Sequence, residues 1–123
     1  MISGLVNARR EAVVPLRLRG PSGIELDVDA LVDSGFTASL SLPAAVVVAL
    51  GLDRVSRSGA ILADGSIRQL DIYSAEVAWE KQWRSVLVSA VGAEVLLGMR
   101  LLANHELRVA VVPGGVVEIT PLP

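Results

Sequence analysis

The sequence has no cysteine, a single histidine, a single lysine and only four aromatic residues in 123. Without cysteine there are no disulfides and no thiolate metal sites, and the composition fits a reducing cytoplasm. With His105 as the lone imidazole, a metal centre would lack a second one, and any Ser-His-Asp triad would have to use it. No metal or other cofactor is expected. In Asn104-His105-Glu106 the histidine reads as a polar loop residue. Long apolar runs are also missing. The longest, Leu42 to Leu52, is too short for a bilayer and contains Pro43 and Gly51. Met1-Ile2-Ser3-Gly4 lacks a basic region leading into an apolar core, so no signal peptide, no membrane partner and a cytoplasmic location are expected. The basic residues are scattered among acids and net charge is -2, which leaves no footprint for nucleic acid.

What is present is aliphatic. Hydrophobic residues make up 52% of the chain, enough for one folded domain spanning residues 1–123. Val14, Leu16 and Leu18 alternate with Pro15, Arg17 and Arg19, and Ile24 to Val32 alternate with Glu25, Asp27 and Asp29. Both are strand patterns. A three-residue loop, Pro21-Ser22-Gly23, with Gly23 left-handed, sets Arg19 opposite Glu25 and Arg17 opposite Asp27. A first strand covers Ile2 to Asn7 and turns at Ala8 to Glu11. Pro43 to Leu50 reads as a short helix stopped by Gly51, although Val46-Val47-Val48 favours a strand. Asp64-Gly65 marks a hairpin with a two-residue turn that pairs Leu62 with Ile67. A second hairpin near Glu80-Lys81-Gln82 would set Trp79 against Trp83. Val95 to Leu97 is a short strand, Met99 to Asn104 one or two helical turns, Leu107 to Val111 a strand, and Val116 to Thr120 a last strand. Seven or eight short strands imply an all-β barrel or sandwich.

The chemistry-bearing stretch is Ala30-Leu31-Val32-Asp33-Ser34-Gly35-Phe36-Thr37. An apolar strand delivers one carboxylate, a hydroxyl and a glycine into a tight loop. Asp, Ser and Gly are also ordinary turn residues, so these three alone define no site.

Four features stand in one order: the strand into Asp33-Ser34-Gly35, then Leu40-Ser41-Leu42-Pro43, then the Asp64-Gly65 hairpin, then Leu96-Leu97-Gly98-Met99. This order resembles the retropepsin-like aspartic proteases, most closely the single-domain prokaryotic members with an Asp-Thr/Ser-Gly-Phe motif. The resemblance runs from about Val14 to Ile119. It implies an acid-protease-like closed barrel of short antiparallel strands with one or two short helices, assembled as a two-fold homodimer. It implies an aspartic endopeptidase in which paired Asp33 carboxylates activate a water, with peptide or protein as substrate. Ser34 would bond across the dimer and Gly35 would let substrate approach. Ala63, Asp64, Gly65 and Ser66 would form a flap, and Leu97 and Gly98 would support the loop from beneath. Retroviral members carry alanine where Phe36 stands, an acid where Thr37 stands and an arginine where Met99 stands, the last two forming an ion pair. The competing readings are a non-catalytic homodimeric β-barrel module of the same fold and a small barrel that binds an apolar ligand.

Overall fold

The computed structural model describes residues 1–61 and 64–123. Ten strands and one helix follow one another: β1 (Ile2–Val6), β2 (Ala12–Arg19), β3 (Glu25–Val32), β4 (Leu40–Leu42), α1 (Ala44–Leu50), β5 (Asp53–Ile61), β6 (Ile67–Trp79), β7 (Gln82–Ala90), β8 (Val95–Leu97), β9 (His105–Val109) and β10 (Val116–Pro121). They form one sheet in the order β5-β6-β7-β4-β8-β3-β2-β1-β10-β9, and a further pairing of β6 with β2 closes its middle into a six-stranded barrel. Closure rests on two residue pairs, Leu18 with Val77 and Arg19 with Glu76. Alternating side chains of β2 (Val14, Leu16 and Leu18) point into the barrel, where Leu40, Val77, Val88 and Leu97 meet them. Each such burial is worth roughly 1.5–3 kcal/mol against exposure.

Local signals set the β2–β3 hairpin. Gly23 is left-handed (φ 91), the Gly20 amide donates to Ile24 O at 2.9 Å, and Arg17 and Arg19 stand opposite Asp27 and Glu25. Arg17 bonds Asp27 through two nitrogens, but Arg19 reaches across the closure to Glu76, two bonds of 3.0 Å, with its guanidinium 4.1 Å from the Trp83 ring centre. The barrel, and not the hairpin, supplies the better partner: a bidentate carboxylate and an aromatic face together.

The helix forms despite its valines. Pro43 precedes it, Gly51 (φ 62) stops it, and Val47 and Leu50, three apart, bury the same face. Other readings are corrected. Glu80 and Lys81 are both left-handed (φ 49 and 67), so the β6–β7 turn has two residues and Trp79 faces Gln82. Trp83 lies opposite Ala78, on the other face of the sheet from Trp79. Residues 99–104 form turns rather than a helix, and the strand that follows starts at His105. His105 is half-buried, accepts a bond from Trp79 Nε1 at 3.2 Å and directs Nδ1 at Ala103 O, so it is a packed strand residue. Ile61, not Leu62, faces Ile67, and Leu62 lies outside the described residues. The last strand, β10, lies inside the sheet between β1 and β9. Two of the barrel pairings, β3–β8 and β4–β7, are parallel. Among the described residues no helix is long and apolar enough to cross a membrane.

Candidate active site

The loop of residues 33–39 joins β3 to β4, and β8 runs between those two strands. Val32 pairs with Leu97 in parallel, Leu40 pairs with Leu97 antiparallel, and the Asp33 amide donates to Leu97 O at 2.9 Å. Leu97 is fully buried, so the carboxylate-bearing residue is hung directly on the core. Three consecutive amides then dock on the loop's carbonyls. Gly98 donates to Ser39 O at 2.9 Å, Met99 to Phe36 O at 2.8 Å and Arg100 to Ala38 O at 3.3 Å. A Cβ on Gly98 would collide with the Ala38 carbonyl and lie 2.6 Å from a ring carbon of Phe36. Only glycine permits this approach. Phe36 thus covers Gly98, while Thr37 and Met99 both face solvent.

Within the loop, Asp33 Oδ1 accepts the Gly35 amide at 2.9 Å, a side-chain-to-backbone turn, and Phe36 N–H donates to Asp33 O at 3.1 Å. Among the described residues no hydrogen bond reaches Asp33 Oδ2 or the Ser34 hydroxyl. Asp33 is half-buried and Ser34 exposed. Both line a cleft of about 510 Å³ together with the polar Arg10, Glu11 and Glu94 and the apolar Leu31, Leu96, Leu107, Val109 and Val111. Arg10, Glu11 and Glu94 were not singled out from the sequence. The signal that could have found Glu11 is Asn7, whose side chain receives the Arg9 and Glu11 amides and donates to Glu11 Oε1, fixing that turn beside the cleft.

A second cleft, of about 390 Å³, lies on the other side of the loop. Thr37 to Leu40 and Arg100 face Ser56, Ser58 and Ile72 of the β5–β6 hairpin stem and Leu87 to Ser89 of β7. The hairpin tip is elsewhere. Asp64 Oδ1 accepts the Ser66 hydroxyl at 2.6 Å and the Ser66 amide at 2.9 Å, and these bonds hold the Asp64 carboxyl below the usual carboxylate range. Asp64, Gly65 and Ser66 line neither cleft, and Ala63 lies outside the described residues. The structure therefore brings Asp33, Ser34, Gly35, Leu97 and Gly98 together and leaves the hairpin tip apart. Among the described residues no cluster of ligating side chains is arranged for a metal ion.

A closed six-stranded barrel, with its loop hung between two strands and propped by a third, is the fold of the retropepsin-like aspartic proteases. The chain is similar to a retropepsin-like aspartic protease from Rickettsia conorii, with a TM-score of 0.60 over 98% of this chain and 89% of that one, at 15% sequence identity. No protein-family model and no curated protein matches the sequence.

Proposed function

We propose that the chain is an aspartic endopeptidase that works as a homodimer. The observation that carries this reading is Asp33: a half-buried carboxylate that lines a cleft, with one oxygen held by its own loop, on a barrel shared with an aspartic protease. Hydrolysis of a peptide bond needs a base for water and an acid for the developing oxyanion. One chain offers one such loop carboxylate. Two copies of Asp33 divide the roles, because carboxylates about 3 Å apart do not both ionise and share one proton. The ionised one takes a proton from water, the water attacks the scissile carbonyl, and the protonated one donates to the carbonyl oxygen. Ser34 bonds across the dimer to fix the paired loops. Gly35 leaves the backbone open to substrate. The hairpin carrying Asp64, Gly65 and Ser66 moves over the bound peptide and excludes water. The setting in this reading is the cytoplasm, with which the cysteine-free sequence is compatible.

The test is cleavage of a diverse peptide library between pH 4 and 8 by the purified protein and by Asp33→Asn, prepared identically. The parent cleaves best at mildly acidic pH, where the dyad carries one proton, and the variant does not cleave. Equal cleavage by both overturns the reading. No cleavage by a sound dimer leaves the non-catalytic barrel module as the function.

A further inference from the structure

The two clefts beside the loop of residues 33–39 differ in charge. On the Asp33 side, Arg10 shares the lining with Asp33, Glu11 and Glu94, three carboxylates to one guanidinium. On the other side, Arg100 shares the lining with five hydroxyl residues, Thr37, Ser39, Ser56, Ser58 and Ser89. Among the described residues no carboxylate lines that cleft. Arg100 is exposed and, among the described residues, forms no ion pair. Its amide, donated to Ala38 O at 3.3 Å, ties the residue to the loop.

Strand geometry keeps this second cleft polar with a single guanidinium. Ser56 and Ser58 alternate with Arg57 on β5, and alternate residues of a strand face opposite ways. Arg57 stands across from Asp71 and bonds it at 3.0 Å, and Arg54 reaches the same carboxylate at 3.5 Å. The arginines of β5 are thus neutralised by β6, and its two serines are left to the cleft. Ser39 is only 7% exposed, and among the described residues no hydrogen bond engages its hydroxyl. Buried polar groups are paired as a rule, so this hydroxyl is satisfied from the cleft, by water or by a bound polar group.

We propose that this cleft is a subsite for an acidic side chain of the substrate, and that Arg100 is the residue that selects it. This rests on the reading of Asp33 as the residue that cuts. Thr37 follows Asp33 by four residues, and four residues span at most about 14 Å. An extended peptide advances about 3.3 Å per residue, so a chain cut at Asp33 reaches the cleft within about four residues of the cut bond. The Arg100 guanidinium matches both oxygens of an aspartate or glutamate, and the cleft's hydroxyls donate to the lone pairs that remain. Hydroxyls alone would accept any polar side chain. The guanidinium turns that tolerance into a choice for negative charge. The carboxylates on the Asp33 side repel the same side chain, so the charge pattern also sets which way the peptide runs across the loop.

The test uses the full-length protein and peptides with acetylated and amidated ends, so that no terminal carboxylate can fill the subsite. A library peptide that the parent cuts is remade with glutamate or with glutamine, in turn, at each of about four positions on either side of the cut. At about pH 6, where glutamate is ionised, one position shows a kcat/KM about tenfold or more higher for the glutamate peptide than for its glutamine twin, mainly through KM. Arg100→Gln erases the difference, Arg100→Lys keeps part of it, and Arg100→Glu moves the preference to lysine at the same position. The proposal is overturned if the parent cuts glutamate and glutamine peptides alike at every position, or if the preference for glutamate persists in Arg100→Gln and Arg100→Glu. The Asp33 reading survives both of those results. A sound dimer that cuts no peptide of the library overturns that reading and the subsite together.

Discussion

Two turns in this molecule have the same local chemistry and opposite surroundings. In Asp33-Ser34-Gly35 and in Asp64-Gly65-Ser66 the aspartate Oδ1 accepts the amide two residues on, at 2.9 Å in both. Around Asp64 the chain is exposed, and a Cβ on Gly65 would meet nothing within 4 Å. Around Asp33 three amides of residues 98–100 clamp the loop, buried Leu97 lies beneath it, and a cleft opens beside it. Turn chemistry is therefore shared by a site and a surface tip. What separates them is the non-local frame, and that frame is where changes should tell them apart.

The largest contrast is in activity. Asp33→Asn should lower the rate of peptide cleavage by about a thousandfold or more, roughly 4 kcal/mol, because an amide cannot take the proton from water. Asp64→Asn, with the same change of group, should leave the chemical step standing. The matched assay on one peptide substrate checks this. Next come the glycines. Gly98→Ala forces a Cβ onto backbone and should cost about 3 kcal/mol or more in urea unfolding. Gly65→Ala has open space and pays only for its positive φ of 84, about 1 kcal/mol. Equal costs would mean the clamp on the Asp33 loop is loose. A smaller effect is expected from Ser66→Ala, which removes one exposed hydrogen bond and should change stability by less than about 1 kcal/mol. The smallest is local and pH-dependent. The Asp64 carboxyl is held low by the Ser66 hydroxyl and then by its amide. A lowered folded value means this contribution is complete above the ordinary carboxylate range and is lost as pH falls through the folded value, below that range. The Ser66 amide resonance should report the loss at the hairpin tip while the barrel resonances stay unchanged.

How much was legible in the sequence follows the same division. The Arg17–Asp27 and Arg19–Glu25 register could be read because Gly23 fixes a turn within a few residues of it. Pro43 and Gly51 bounded the helix in the same local way. The β5–β6 register was misread by one residue, since Ile61 and not Leu62 stands across from Ile67. The Trp79–Trp83 pairing failed because Glu80 and Lys81 adopt left-handed conformations that their residue types do not announce. Nothing local revealed that Arg19 would leave Glu25 for Glu76, that β3 would run parallel to β8, or that β10 would be enclosed. Those depend on closure between segments more than fifty residues apart. The candidate site was half legible for the same reason. The loop announced itself by composition and order, whereas Arg10, Glu11 and Glu94 reach its cleft only through the fold.

The central claim is that catalysis needs one Asp33 from each of two copies, and subunit mixing tests it most directly. A fixed amount of parent is re-equilibrated with an equal amount of Asp33→Asn, at concentrations well above the dimer's dissociation constant, and cleavage is measured at mildly acidic pH. Random re-pairing puts half of the parent subunits into mixed dimers. If the two carboxylates share one proton and act together, those mixed dimers are inactive and the total rate falls to about half that of the parent alone. A rate that does not change on mixing would mean that each subunit acts alone, and would contradict the account.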